Sequence, residues 1–271
     1  MTTTAKRGRK AGRPASGNAA SGSVQSLTRA LSLLEQLSFS DNGLNLGEVS
    51  TAVELAPSTT HRLLSTMLQM GFVEYDEQLG LWSVGVNSFT VGNAYLKKRS
   101  FATQARPLMK DLMNASGETC NLAVLEGGQV VFIAQIESRD TMRMVVNLGS
   151  RGPLHATAVG KALLSALPER EARGIVEGLE LTGLTDRSLT SREALLQELD
   201  SVRQKGFAVD DEEQKIGLTC LAANIYDEHH EAVAAISISG PSVRVTPQRL
   251  DELGRMVMET ADRITAVIGG T

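Results

Sequence analysis

The run Ala56-Pro57-Ser58-Thr59-Thr60-His61-Arg62-Leu63-Leu64 decides how this chain is read. Proline suits the first position of a helix, and a neighbouring hydroxyl can accept from an orphan N–H. The spacing predicts a helix opened by Ser58 and running to about Met70, with Gly71 ending it. Its first turn carries hydroxyls, an imidazole and a guanidinium. Leu63, Leu64, Met67 and Leu68 supply an apolar back. Such a helix offers Ser58, Thr59, Thr60, His61 and Arg62 to the phosphates and base edges of a DNA major groove.

The flanks of this helix agree with that reading. Leu27, Ala30, Leu31, Leu34 and Leu37 repeat at helical spacing and predict a helix over residues 24–37. Asp41-Asn42-Gly43 is a turn signal, and a short helix over 47–53 would bury Leu46, Val49 and Val53. Residues 72–75 and 81–84 read as two strands around Glu77-Gln78-Leu79-Gly80, the second containing the only Trp, Trp82. Three helices and a hairpin make a winged helix-turn-helix over 23–85, with the Trp82-bearing wing expected along the DNA backbone.

The formal net charge of −4 conceals an asymmetry. Residues 1–34 hold Lys6, Arg7, Arg9, Lys10, Arg13 and Arg29 and no Asp or Glu, which leaves 21 basic against 31 acidic residues elsewhere. A cationic arm on an acidic body suits an arm that binds a polyanion, although a solubilising tail has the same composition. The glycines between Lys6, Arg7, Arg9, Lys10 and Arg13 would let cations enter a narrow minor groove. Residues 1–22 are therefore read as a flexible basic arm.

No apolar run approaches the ~20 residues that span a bilayer, and the basic N-terminus lacks the apolar core of a secretory signal. Cys120 and Cys220 supply neither a disulfide framework nor a four-ligand zinc site, and a cytoplasmic location is expected.

A helical linker is predicted over 86–99 and a second domain over 100–269. An amphipathic helix over 101–115 precedes a hairpin turning at Gly127-Gly128, and a third strand is expected over 141–148. Helices over 158–167 and 193–205 follow, then strands over 207–210, 218–226 and 232–239. Thr246 and Pro247 are expected to open a last helix that stops before Gly269. Hairpins with flanking helices give an α+β domain around an antiparallel sheet.

Two constellations carry candidate chemistry. Leu154-His155-Ala156-Thr157-Ala158-Val159-Gly160-Lys161 enters a helix through small residues. Small side chains would let a carboxylate reach free backbone N–H groups, and close helix-to-sheet packing would need the same residues. The second set is Asp210, Cys220, Ser237 and Ser239. The two serines share one face of an otherwise apolar strand and need partners, either structural or from a ligand. The acidic run Asp210-Asp211-Glu212-Glu213 reads mostly as solvated loop. No catalytic set emerges, since a Cys220 nucleophile would need a base and none of the four His carries a signature for it. No ligand-type spacing marks a metal site.

At these residues the chain resembles the IclR family of bacterial transcriptional regulators over nearly its whole length. The resemblance rests on Val24-Gln25-Ser26-Leu27-Thr28-Arg29, Ser58 to Leu64, Gly71-Phe72-Val73, Ser116-Gly117-Glu118-Thr119, Leu154-His155-Ala156, Gly160-Lys161-Ala162, Asp210 to Glu213 and Ala234 to Pro241. It implies a winged helix binding a pseudo-palindromic double-stranded operator as a dimer, often assembled to a tetramer. It also implies a C-terminal effector domain of GAF-like fold, with no cofactor. The basic arm and Asp227-Glu228-His229 are similar to the glyoxylate-responsive members. In those members two backbone N–H groups, an Asp, a Cys and two Ser hold the ligand, which implies an effector site at Ala158, Val159, Asp210, Cys220, Ser237 and Ser239.

One departure is that those members carry Ser-Gly-Ala before Gly-Lys, where this chain has Thr157-Ala158-Val159. The resemblance thus implies a repressor answering to glyoxylate, pyruvate or a similar small 2-oxo-acid in two-carbon metabolism. Allantoin or aromatic-acid regulation, an activator role, and a small-molecule enzyme or nucleotide-sensing GAF module are the alternatives.

Overall fold

A computed structural model describes residues 24–98 and 100–270, so the basic arm, with Lys6, Arg7, Arg9, Lys10 and Arg13, lies outside the described residues. The chain divides into two compact units between Tyr95 and Leu96.

The N-terminal unit contains α1 (Gln25–Ser38), β1 (Leu44–Asn45), α2 (Leu46–Ala52), α3 (Pro57–Gln69), β2 (Val73–Asp76) and β3 (Leu81–Val84). Its three strands are antiparallel in the order β1-β3-β2. Asn45 starts α2 with a capping box: its Oδ1 accepts from Gly47 N and Glu48 N, and Glu48 Oε2 accepts from Asn45 N at 2.8 Å. The first residue of α3 is Pro57, with Ala56 as N-cap, so the helix opens one residue before Ser58. The core gathers Leu33, Leu37, Val49, Leu64, Met67, Val73 and Trp82.

Several expectations are corrected here. Leu27 and Leu31 of α1 are exposed, and Leu33 takes the buried position. The leucines of α1 form two overlapping stripes of helical period, and only the packing partner selects one. Leu68 of α3 is likewise exposed. Trp82 is 4% exposed and packs in the core against Tyr75, at 4.6 Å between rings. It therefore supports the wing from within. The two-residue β1, which pairs with β3 through Leu44↔Trp82, was too short to carry a periodic signal.

At the exit of β3, a Cβ on Gly85 would lie 2.6 Å from Gly71 O and 2.9 Å from Val73 N. Only glycine allows that crossing. Helix α4 (Val86–Lys98) follows, and Asn87 Nδ2 donates to Met70 O at 2.7 Å, satisfying a carbonyl at the end of α3.

The C-terminal unit contains α5 (Ser100–Ser116), β4 (Thr119–Glu126), β5 (Gln129–Ile136), β6 (Arg151–Gly152), α6 (Ala158–Ala166), α7 (Glu169–Gly178), α8 (Arg192–Lys205), β7 (Ala208–Asp211), β8 (Leu218–Tyr226), β9 (Ala232–Pro241) and α9 (Leu250–Val267). A six-stranded antiparallel sheet runs β6-β5-β4-β9-β8-β7. One face packs on α5 and α9 through a core that includes Met109, Leu122, Ile236 and Ile264. The other packs on α6, α7 and α8 through Ala123, Leu163, Val176, Leu199 and Ala222. This is the α+β class expected, as helices covering both faces of an antiparallel sheet.

Residues 141–148 form no strand. Their alternating apolar residues come from an extended segment outside the sheet: Met144 and Val146 face a cavity, while Met142, Val145 and Leu148 are exposed. The strand that pairs with β5 is the two-residue β6 instead. Thr246 precedes a 3-10 turn, Pro247–Arg249, before α9, and its side chain makes no capping bond. Helix α7 was not anticipated; its sequence is mostly polar, and only Ala172 and Val176 are buried.

Candidate effector cavity and DNA-reading helix

Helix α3 exposes Ser58, His61 and Arg62, and Thr59 is half-buried. Thr60 is fully buried, with its hydroxyl 3.3 Å from Ala56 O, so it belongs to the packed face of the helix. The edge of the His61 ring meets Trp82 at 6.2 Å, which ties the exposed face of α3 to the base of the wing. Thr66 and Gln69 continue the exposed polar face one and two turns on, positions the sequence reading did not single out.

In the C-terminal unit, strand register assembles the second constellation. Asp210 of β7 lies opposite Cys220 of β8, which lies opposite Ser239 of β9. Ser237 stands one pleat further along β9, opposite Asn121 of β4. Paired residues share a face, so these side chains form a polar patch on one side of the sheet. Above it sits the start of α6. The Thr157 side chain caps that helix by accepting from Gly160 N at 3.1 Å, and Thr157 O accepts from Lys161 N at 3.0 Å. Ala158 N and Val159 N precede the first of these bonds and have no intrahelical acceptor, so they are available to an anion.

Between sheet and helix lies a small cavity. Ala158, Val159, Asp210, Cys220, Ser237 and Ser239 all line it. So do Asn121, Thr157 and Gln214, with Phe132, Met144 and Val146 on the apolar side. The sequence reading missed Asn121. It donates through Nδ2 to Ser239 Oγ at 3.2 Å and accepts at Oδ1 from Gln135 Nε2 at 2.8 Å. That chain fixes the Asn121 amide and leaves the Ser239 hydroxyl proton free to point elsewhere. Asn121 Oδ1 and Nδ2 gain these partners only through strand pairing, which no local signal announces.

The acidic run is not all solvated. Asp211 is exposed and pairs with Arg187 at 2.6 Å, but Asp210 and Glu213 are buried. Asp210 Oδ1 accepts from Glu213 N at 2.8 Å and Gln214 N at 3.3 Å, while Oδ2 is buried with no partner. Burial is the largest influence on this carboxyl and, against its two backbone donors, raises its pKa to about 7. Lys161, 1% exposed, bonds both Glu213 Oε1 and Glu198 Oε1 beneath the site. Burial pushes the Glu213 carboxyl up as well.

At the other end of the row, Glu118 makes a bidentate pair with Arg244, both contacts 2.7 Å, and Arg244 also donates to Met142 O at 2.9 Å. A Cβ on Gly240 would lie 2.3 Å from Glu118 Oε2, so glycine makes room for that carboxylate. Burial drives the Cys120 and Cys220 thiols well above their ordinary pKa, which keeps both protonated and poor nucleophiles. Among the described residues no group of three or more His, Cys, Asp or Glu is arranged to hold a metal ion, and no helix is long and apolar enough to cross a membrane.

Residues 26–77 match the IclR helix-turn-helix domain, and residues 93–266 match the bacterial transcriptional regulator IclR C-terminal domain. The chain belongs to the IclR family. It is 44% identical to the acetate operon repressor of Salmonella typhimurium, over 98% of this chain and 97% of that protein. It is 41% identical to the HTH-type transcriptional repressor AllR of Salmonella paratyphi A, over 96% of each chain. The crystal structure of Thermotoga maritima IclR superposes with a TM-score of 0.77 at 27% identity, covering 91% of this chain and 100% of that one. The helix-turn-helix and effector domains are thus those of an IclR-family transcriptional repressor.

Proposed function

We propose that this IclR-family repressor is a cytoplasmic one-component regulator of two-carbon or 2-oxo-acid metabolism, and that glyoxylate or pyruvate in the α6 cavity modulates its grip on double-stranded operator DNA. The observation that carries this reading is the cavity itself. It offers two unclaimed helix N–H groups for a carboxylate and, across from them, Ser237, Ser239, Cys220 and Asp210 for a second polar end. The cavity is small, so it admits only a ligand of a few heavy atoms. The 44% identity to a protein named acetate operon repressor supports the pathway.

On the DNA side, Ser58, Thr59, His61 and Arg62 enter the major groove, while Thr60 secures the helix from behind. The arm with Lys6, Arg7, Arg9, Lys10 and Arg13 follows an adjacent minor groove. Deleting residues 1–20 flattens the salt dependence of operator binding if it does so, and leaves the slope unchanged if it does not. Exposed Leu27 and Leu31 on α1, Val24 just before it, and Val86, Phe89 and Val91 on α4 support self-association as a dimer or tetramer, which a two-fold operator requires. A ligand shifts states only by differential affinity, so glyoxylate must favour an assembly with mis-spaced α3 helices.

The deciding experiment is calorimetry of the full chain against glyoxylate, pyruvate, allantoin, 4-hydroxybenzoate and cyclic nucleotides, paired with operator binding. Ser239→Ala should abolish the response to glyoxylate and leave ligand-free DNA binding intact. Binding of allantoin, an aromatic acid or a cyclic nucleotide alone would redirect the effector assignment, and turnover of any of them would move the cavity to an enzyme.

A further inference from the structure

The cavity has a feature that a simple anion site would not have. Its floor carries a carboxylate, yet its roof is built to receive another. Asp210 has 0% exposure and Oδ1 is committed to two backbone donors, which leaves Oδ2 as the oxygen available to an occupant. Among the described residues no Lys, Arg or His lines the cavity.

The buried cation nearby, Lys161, favours the Asp210 carboxylate less than burial and the Glu213 carboxylate disfavour it. Lys161 of α6 spends its ammonium on Glu213 in the loop after β7 and on Glu198 of α8, so that group already carries two carboxylates for one positive charge. From β8, Asp210 faces the protonated Cys220 thiol, and from β9 the Ser239 hydroxyl, neither of which is a cation. On its own strand Asp211 is turned outward to Arg187, and Glu212 just beyond the strand accepts from Gly217 N. A carboxylate ligand seated at Ala158 N and Val159 N would therefore share a small, cation-free space with the Asp210 carboxyl. Two like charges so placed cannot both persist at neutral pH.

We infer that Asp210 binds the effector as a neutral acid, with the proton on Oδ2 donated to an oxygen of the bound 2-oxo-carboxylate, so that the protein takes up one proton with each ligand it binds from the ionised state. The inference rests on the effector reading above and adds the protonation state of the complex. The balance is simple: one proton moves from solvent to Asp210 Oδ2, the ligand stays a monoanion, and no covalent bond changes. The raised pKa of the Asp210 carboxyl, about 7, makes that proton available near neutrality. The arrangement also selects ligands. The oxygen facing Asp210 must be an acceptor, such as a 2-oxo group, and cannot be a group that only donates.

The test is calorimetric titration of the full chain with glyoxylate at pH 6 to 9, in two buffers of different ionisation enthalpy. Glyoxylate is ionised throughout this range, so proton uptake reports the protein. With a pKa of about 7, uptake should approach one proton per ligand at pH 8 and above, and the affinity should fall about 90-fold between pH 6 and pH 9. Asp210→Asn keeps an oxygen for Glu213 N and Gln214 N and presents a permanent donor. It should bind glyoxylate with an affinity that hardly varies over the same range and with no proton uptake.

Wild-type binding without proton uptake would overturn the inference and leave the effector assignment standing. Weak binding by folded Asp210→Asn at every pH would also overturn it, since that result requires an ionised acceptor. If wild type binds neither glyoxylate nor pyruvate at any pH, the effector assignment itself falls, and this inference with it. The wild-type proton count needs no variant, so the test survives a variant that folds poorly.

Discussion

Replacing Gly160 by Ala sets two opposed effects against each other at the mouth of the cavity. Alanine is the better helix former by about 1 kcal/mol, so an unhindered helical glycine gains stability from the change. Gly160 is not unhindered. A Cβ there would lie 2.4 Å from Leu154 O, 2.6 Å from Leu154 Cα and 2.7 Å from Thr157 Oγ1. Ordinary contact starts near 3.4 Å, so something must move by about 1 Å. Leu154 is 1% exposed within the core, and its backbone cannot yield alone. Overpacking of this kind costs about 1–3 kcal/mol. Displacing Thr157 also loses its cap on Gly160 N, about 1 kcal/mol more. Set against the propensity gain, the net effect is a loss of about 1–3 kcal/mol.

Gly174, inside α7, is the control, because a Cβ there meets nothing within 4 Å. Gly174→Ala should therefore stabilise by up to about 1 kcal/mol. Urea unfolding followed by far-ultraviolet circular dichroism reads both variants. The fluorescence of Trp82, the sole tryptophan, follows the N-terminal unit and should hardly respond to either. Gly160→Ala as stable as wild type, or shifts of the same sign for the two variants, would refute the steric argument.

Three further outcomes are expected. Arg62→Ala should weaken operator binding by about 1–3 kcal/mol and relax sequence preference if Arg62 reads a base, whereas a uniform loss across DNA sequences in gel-shift titrations would mark a phosphate contact. Lys161→Met should cost about 3–5 kcal/mol in urea melts by stranding Glu213 and Glu198, and adding Glu213→Gln should recover part of it; an unchanged melt would contradict the buried network. For Asp210, folding raises the pKa from 3.8 to about 7, so the stability contributed by its protonated form is intact below pH 4 and is lost as pH rises towards 7. The advantage of Asp210→Asn over wild type in ligand-free melts should grow by about 2.5 kcal/mol from pH 5 to pH 8, and a constant difference would show that Asp210 does not titrate in that window.

Much of the fold was legible wherever a local rule dominates. Gly71 closed α3, whose start lay within one residue of Ser58, Gly127-Gly128 turned the β4–β5 hairpin, and Gly206, at φ +82°, ended α8. The errors have one physical source, which is that a periodic pattern gives spacing without naming a partner. The α1 leucines could bury either stripe, and Leu33 won. Residues 141–148 alternate as a strand would, but they alternate between solvent and cavity. Trp82 lies in the wing hairpin as its sequence position implies, and packing turned its ring into the core, which spacing does not state.

Local signals in the sequence marked out a candidate DNA-reading helix and an acid-free N-terminal stretch, and the family resemblance pointed to six residues between positions 158 and 239. The first two rest on composition or local spacing and the third on resemblance, and none requires the chain to close on itself. Only the tertiary structure decided that Thr60 is held in the core while His61 and Arg62 are offered outward, because a buried position is defined by what packs against it. Only it brought Asp210, Cys220 and Ser239 into one row across three strands beneath the start of α6. Burial, with a smaller push from the Glu213 carboxylate, raises the Asp210 pKa against two backbone donors and Lys161, and that burial comes from long-range contacts that a linear run of four acidic residues does not contain.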